Sequence, residues 1–315
     1  MLTIGVLRGG PGWERDFSLL SGERFIQTLT PKYKIIDIEV SQRQDWLENQ
    51  QIKTPDEILK KCDLVINALL GDYGEDGQVQ QILVKNKIPF VGSPSLASKI
   101  ANNKILTKKV FQNAGLKVPR WRQVNNFDDI LLLSREIFNT FLFPVVVKPT
   151  SSGSSVGVSI ARDLTSLQHA LHSVFHYCDT AIVEEYIKGC EFSCVVLENF
   201  RQQKFYTFPP IETKRLAYTH HSFHDKVTGI RLKSELTTLT PQEKELIRLS
   251  AIHAHQAVGA RHYSCSDFIL HPKRGLFILE SNTNPKLTPN SVLDKSLKLV
   301  GVKDINFAEH LINLL

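Results

Sequence analysis

The chain has 315 residues, of which 42% are hydrophobic and 22% charged, and a formal net charge of +6. This length predicts two or three domains with separate cores, and the composition is that of an ordinary soluble protein. The positive charge is scattered, with no block of five or more basic residues, which argues against nucleic acid as a partner and leaves small anions open.

No apolar run reaches membrane-spanning length, and the chain enters an apolar segment at once with no basic leader or cleavage site, so a cytoplasmic location is expected. Five cysteines, at positions 62, 178, 190, 194 and 265, are an odd number at low density and fit a reducing compartment. Cys190 and Cys194 have no second pair at finger spacing, which argues against zinc.

Residues 2–7 predict a buried strand, and Arg8 to Gly12 the turn leaving it. A helical pattern over 14–29, with Phe17, Leu20, Arg24 and Phe25 spaced by three and four, completes a Rossmann-like opening without a GxGxxG. Strands are expected over 35–40, 63–69 and 89–92. The acidic, glycine-punctuated loop Gly71 to Gly77 follows the second of these, where open α/β sheets bind ligands; a plain turn is the alternative.

Residues 95–115 read as helical and carry Lys99, Lys104, Lys108 and Lys109, side chains that ordinarily solvate an exposed face. Then come a strand (120–124), a helix (126–139), a strand (143–148), a helix (163–177) and strands over 180–186 and 189–197. Thr240-Pro241-Gln242-Glu243 is a helix start with a capping box, and Ile247, Ala251, Ala254 and Val258 form its apolar stripe before Gly259.

Two constellations carry chemistry. In the first, the β-branched run Val145-Val146-Val147 delivers Lys148 to a loop of small residues ending at Gly157. Gly153 and Gly157 permit positive φ, and Ser151, Ser152, Ser154 and Ser155 add hydroxyl donors, which suits backbone N–H groups approaching a phosphate; a flexible linker is the alternative. Beyond it, Glu184 and Glu191 flank a corner where each could accept hydrogen bonds from a nucleotide's base or ribose, or simply face solvent. Over 213–234 the periodicity fades, consistent with a loop over a site or an irregular connection.

In the second constellation, residues 266–271 and 276–282 surround the turn Pro272 to Gly275 and read as a β-hairpin. If His271 pairs with Leu276, Asp267 lies opposite Glu280, and period two puts Asn282 on the face of Glu280. Opposed carboxylates repel unless something positive lies between them, and these hard oxygen donors suit Mg²⁺ shared with phosphate.

Taken in order, Arg8-Gly9-Gly10 with Glu14-Arg15 and Ser18 to Gly22, Gly74-Glu75-Asp76-Gly77, Lys148 to Gly157, Glu184 to Phe192, and Asp267 with Glu280 to Pro285 resemble the D-alanine:D-alanine ligase family of the ATP-grasp superfamily. The likeness runs nearly end to end. It implies an α/β chain with a Rossmann-like amino-terminal domain (1–98) and two ATP-grasp subdomains (99–180 and 181–315). It implies that ATP phosphorylates one D-alanine carboxylate and that the amine of a second D-alanine attacks the acyl phosphate, a step in making peptidoglycan precursors.

By the same resemblance Lys104 and Lys148 neutralise phosphates, and the loop of Gly153, Ser155 and Gly157 encloses the transferring group. Glu184 and Glu191 hold adenine and ribose, while Asp267, Glu280 and Asn282 carry two Mg²⁺ ions, with Mn²⁺ as a substitute. Glu14 meets the first substrate's ammonium, Ser154 helps orient it, and Ser291 lies near the second carboxylate. The implied partners are ATP and D-alanine, with homodimerisation expected on the resemblance alone.

Several positions depart from the family pattern. Leu70 stands for a histidine, Cys265 for the arginine expected at the tetrahedral oxyanion, and Lys286 for a glycine whose N–H helps form that hole. A tyrosine-rich loop motif has shrunk to His224-Asp225-Lys226-Val227, and Asn103 replaces an aspartate. Losing an oxyanion donor typically costs about 2.7 to 4 kcal/mol, so Lys286 is expected to supply the missing charge. The changes fall on the amino-acid side, which keeps two other readings open: the same chemistry with a different acceptor, or an ATP-binding regulator that no longer ligates.

Overall fold

The computed structural model describes residues 1–151, 153, 156–213 and 239–315. The segment expected over 213–234 falls almost wholly outside these residues, as do His224 to Val227, Ser152, Ser154 and Ser155. The described chain is mixed α/β and is built around three sheets.

The first sheet has the order β4-β3-β2-β1-β5-β6. Its strands are β1 (Thr3–Gly9), β2 (Lys34–Val40), β3 (Trp46–Glu48), β4 (Gln51–Lys53), β5 (Leu64–Asn67) and β6 (Phe90–Val91). β2, β1, β5 and β6 are parallel and the outer pair antiparallel. Helix α1 (Arg15–Leu29) packs on β1, and the short α2 (Pro55–Leu59) and α3 (Gln78–Lys85) complete the unit. Leu20, expected in the apolar stripe of α1, is exposed, and Ser18 is buried instead. Its hydroxyl accepts from Gly9 N–H at 2.8 Å and donates to Ala68 O at 2.8 Å, so a polar side chain closes the turn after β1 onto the end of β5.

The helical region expected over 95–115 is two helices, α4 (Ser95–Asn102) and α5 (Lys104–Asn113). Asn103 breaks them with an extended backbone, and its side chain accepts from Ile105 and Leu106 N–H, both at 3.1 Å. Aspartate and asparagine cap helices equally well, so this departure from the family pattern keeps the local structure.

The second sheet, order β7-β10-β8-β9, is antiparallel. It comprises β7 (Trp121–Asn125), β8 (Val145–Pro149), β9 (Ser159–Ala161) and β10 (Thr180–Glu185), with α6 (Ile130–Thr140) and α7 (Leu164–Val174) packed together. Val124, Ile137, Val147, Leu171 and Val183 form its own core.

The third sheet, also antiparallel, runs β12-β11-β14-β15 with β13 beside β11. Its strands are β11 (Cys190–Phe200), β12 (Gln203–Thr207), β13 (Ile211–Glu212), β14 (Tyr263–His271) and β15 (Gly275–Asn282). Helix α8 (Pro241–Val258) has the expected capping box at Thr240 and a left-handed Gly259, and it buries Ile247, Ala251, Ala254 and Val258 on this sheet. Phe111 of α5 joins that core with Phe192 and Phe268. The last helices, α9 (Val292–Leu299) and α10 (Asp304–Ile312), close a further core in which Ile4, Val6, Phe25 and Leu29 mix with Val195, Tyr263, Phe307 and Leu311.

One expected register is corrected. His271 pairs with Gly275, not Leu276. The pairing Asp267 to Glu280 nevertheless occurs, because a β-bulge between Asp267 and Phe268 skips Leu279. Directly opposed residues share a face, so Ile269 and Phe277, Asp267 and Glu280, and Cys265 and Asn282 line one side of the hairpin.

Candidate active site

Each sheet contributes to one polar centre. Lys104 opens α5, and Lys108 lies one turn on, so the two share a helix face. Both are buried, whereas Lys99 and Lys109 are exposed, so the solvated-face reading holds for only half of these lysines. Lys104 N–H donates to Thr150 O at 2.9 Å, which ties α5 to the start of the small-residue loop. Burial lowers the Lys104 pKa; Glu280 opposes that shift, Lys148 adds to it, and Glu184 and Glu14 oppose it. The charges of these four residues all act on the Lys104 ammonium.

Lys148 on β8 and Glu184 on β10 are neighbours across the ladder, displaced by two residues. Lys148 Nζ donates to Glu184 Oε2 at 3.0 Å, and Lys108 Nζ lies 3.2 Å from Oε1 without hydrogen-bond geometry. Burial opposes ionisation of Glu184, but Lys108 and Lys148 prevail and hold its pKa at about 2. Glu184 thus faces inward on two lysines. Lys108 was missed as a site residue, although its i, i+4 spacing from Lys104 was the available signal.

The acidic hairpin supplies hard oxygen donors. Ser193 Oγ donates to Asp267 Oδ1 at 2.6 Å, and Asn284 N–H donates to Asn282 Oδ1 at 2.7 Å, so two of the three side chains are held in place. Glu280 and Asn282 are exposed on the face that also carries Asp267. Among the described residues no trio of His, Cys, Asp and Glu gathers, so a metal here would use two carboxylates and an amide oxygen, a set that fits Mg²⁺.

Glu14 occupies the N-cap position of α1 without a side-chain capping bond, and Gly71 and Gly153 lie against its carboxylate. A Cβ on Gly153 would fall 2.1 Å from Glu14 Oε2, and one on Gly71 would fall 3.2 Å from it. Gly71 N–H also donates to Glu75 Oε2 at 2.6 Å, so Gly71 lies between two carboxylates. Burial, and then the Glu14 charge, push the Glu75 carboxyl up to about 8. Lys286, expected at an oxyanion, has its ammonium 3.7 Å from the centre of the Phe17 ring. Burial lowers its pKa, and Glu14 and Glu75 counter the shift.

The remaining expected residues sit further out. Gly157 has φ +71° and packs on Pro149, so the predicted left-handed glycine is present. Glu191 lies on β11 opposite Ile269 of β14. Ser291 is buried as the N-cap of α9 and accepts from Asp294 N–H at 3.2 Å, which leaves its own hydrogen to donate. Leu70 and Cys265, the two apolar departures, are both buried.

A family model described as "D-ala D-ala ligase C-terminus" matches residues 110–313. The chain belongs to the D-alanine–D-alanine ligase family. It is 31% identical over 303 residues to the D-alanine–D-alanine ligase of Bacillus anthracis, covering 96% of this chain and 93% of that one. A crystal structure of a B. anthracis D-alanine–D-alanine ligase complexed with ATP superposes with TM-score 0.82 at 27% identity, covering 100% and 97% of the two chains. The D-alanyl-alanine synthetase A structure from Vibrio cholerae gives TM-score 0.87 at 25% identity, covering 99% and 98%. Membership of this ligase family accounts for the ATP-grasp arrangement of the second and third sheets.

Proposed function

We propose that the protein is an ADP-forming, ATP-dependent ligase that joins two D-alanine molecules, or close relatives, through an acyl phosphate for peptidoglycan precursor synthesis. One observation carries the reading: Lys148 and Glu184 pair at 3.0 Å on the second sheet, Lys104 N–H binds the small-residue loop at Thr150 O, and Gly153 of that loop lies against the Glu14 carboxylate of the first unit. The expected boundary at 180 moves, because β10 (Thr180–Glu185) pairs within the second sheet and Val183 lies in its core; we read the units as 1–98, 99–185 and 186–315, with α5 of the second packed into the core of the third. No helix among the described residues is long and apolar enough to cross a membrane. A cytoplasmic enzyme acting on small molecules, and a homodimer, are part of the proposal.

Lys104 and Lys148 neutralise phosphate oxygens of ATP, with Lys148 held in place by Glu184. Gly153, Ser155 and Gly157 bring backbone and hydroxyl donors to the transferring phosphoryl group, and Glu191 accepts from the ribose. Asp267, Glu280 and Asn282 would hold two Mg²⁺ ions, which when bound neutralise charge on the β- and γ-phosphates. A carboxylate oxygen of the first acid bonds to the γ-phosphorus as the bond to ADP breaks. The amine of the second substrate then bonds to the acyl carbon, phosphate leaves, and the amine proton is lost. Ser154 and Ser291 orient the two substrates.

The test is phosphate release from ATP across a panel of amino acids including D-alanine, with Glu280→Ala as the metal-deficient control. Release with D-alanine that disappears in Glu280→Ala supports the ligase. Tight ATP binding with no release for any candidate would return the reading to a regulatory ATP-binding protein. A changed substrate is a second reading, favoured by the apolar Leu70 buried where the family has a histidine and by the Lys286 ammonium over the Phe17 ring.

A further inference from the structure

The chain leaves the first sheet through Gly92-Ser93-Pro94, between β6 and α4, and this crossing is fastened to the two residues that enter β14. Gly92 N–H donates to His262 Nδ1 at 3.0 Å. Arg261 N–H donates to Ser93 Oγ at 3.0 Å, and the Ser93 hydroxyl returns a longer bond to Arg261 O at 3.4 Å. Ser93 and His262 are both buried. Gly92 has φ +127° and His262 φ +63°, so the contact is shaped by unusual backbone on both sides.

The group that Gly92 presents is a backbone N–H, which needs an acceptor at every pH. His262 Nδ1 accepts only while it keeps its lone pair, so the fold selects the neutral imidazole with its hydrogen on Nε2. The charged neighbours are few. Glu198 of β11 accepts His262 N–H on Oε2 at 3.3 Å, and its other oxygen lies 3.3 Å from His255 Nε2 on α8. His310 of α10 reaches Glu198 O at 2.7 Å, Arg261 precedes His262 in the chain, and Gly92-Ser93-Pro94 brings no titratable side chain. Burial lowers the His262 pKa, Glu198 opposes the shift, and Arg261 and His255 add to it.

We propose that His262 is a proton-operated latch between the first and third units: its neutral ring fastens the crossing at Gly92, and protonation releases it. A proton on Nδ1 sets two N–H groups against each other, strands the Gly92 N–H, and adds a positive charge beside Arg261 in a buried space. Residues 261 and 262 then move off the crossing together, and the Ser93 bonds to Arg261 go with them. The closed latch contributes stability above pH 6.5, the ordinary value for this side chain, and loses it as the pH falls further, because the open form takes up the proton. No substrate takes part, so the inference stands apart from the ligase reading.

The test is amide hydrogen exchange of the full chain at pH 7 and pH 5, corrected for the intrinsic rate, with the core residue Val6 of β1 reporting global unfolding. In wild type the opening at Gly92 should rise at least about tenfold from pH 7 to pH 5, since each pH unit below the free value is worth roughly tenfold, while Val6 does not follow. Asparagine tolerates positive φ and offers Oδ1 as an acceptor that does not titrate, so His262→Asn should lose the pH response. His262→Ala should exchange fast at both pH values. Gly92 protection that is the same at pH 7 and pH 5 in wild type, or a wild-type pH response in His262→Asn, would overturn the proposal.

Should the variants not fold, wild type alone decides through the ¹⁵N shifts of the His262 ring. Proton uptake at Nδ1 with the same midpoint as Gly92 exposure sustains the latch. A ring already protonated on Nδ1 at pH 7, or protonation that leaves Gly92 protected, defeats it.

Discussion

The Lys148 ammonium donates to Glu184 Oε2 at 3.0 Å, across a pair of strands whose apolar residues form a core of their own. The second Glu184 oxygen faces Lys108, a lysine with no exposed surface. Removing the charge in Glu184→Gln leaves Lys108 buried without a counter-charge and should destabilise the protein by about 3–5 kcal/mol. Lys108→Met should cost clearly less, because Lys148 still pairs with Glu184. Urea unfolding of the two variants checks the asymmetry, and equal losses would count against it.

Two carboxyl groups give stability slopes of opposite sign. The Glu184 pKa falls from an ordinary 4.5 to about 2 in the folded protein, so its contribution is present above pH 4.5 and lost as the pH drops toward 2. The Glu75 pKa rises to about 8, so the unfolded chain ionises this group from pH 4.5 upward while the folded protein keeps the proton. Stability should therefore decline between pH 4.5 and 8 on account of Glu75. Glu75→Gln should remove that decline, making the variant more stable relative to wild type at pH 8 than at pH 5 in paired urea titrations.

Two glycines predict contrasting outcomes. In Gly153→Ala the new methyl meets the far end of the Glu14 side chain, which can swing away, so stability should change by less than about 1 kcal/mol while KM for the acid substrate rises. In Gly74→Ala the methyl meets Leu69 backbone atoms at 2.6 and 2.7 Å, which cannot move independently. A loss of about 1–3 kcal/mol is expected there. Thermal melts together with substrate titrations distinguish the two.

Asn284 is buried and joins the first and third sheets. It accepts from Tyr263 Oη–H at 2.8 Å and donates to Leu69 O at 2.7 Å and Asn67 O at 3.1 Å. Asn284→Ala strands these groups and should cost about 2–4 kcal/mol, at about 1–3 kcal/mol for each unsatisfied buried partner. Chemical denaturation gives the value, and a change below 0.5 kcal/mol, roughly the level of a neutral surface substitution, would refute the bridging role.

The sequence was legible where side-chain chemistry and local geometry agree. The capping box at Thr240 and the delivery of Lys148 to a glycine loop appear in the fold, whereas Asp267 opposes Glu280 through a bulge and not through the expected register. The hairpins β3–β4 and β11–β12 did not announce themselves. Their two-residue turns, Asn49-Gln50 and Arg201-Gln202, take positive φ without the glycine that usually signals it. The bulge at Leu279 was equally hidden, since an apolar residue there looks like any other strand position. For Lys108 the only signal was its i, i+4 spacing from Lys104, which does not tell which side of α5 faces solvent; that depends on Phe111 entering a distant core.

The core that gathers Ile4 and Phe25 with Tyr263, Phe307 and Leu311 draws on both ends of the chain, whereas Val147, Leu171 and Val183 draw only on its middle. The middle is thus an insertion into a unit whose halves meet only after all of it has been made. Native-state hydrogen exchange should sort the amides into cooperative units that ignore chain order, with the strands of the middle opening together and β1 opening in step with β14. A newly made amino-terminal half would hold one wall of its core exposed until its carboxyl-terminal partner arrives.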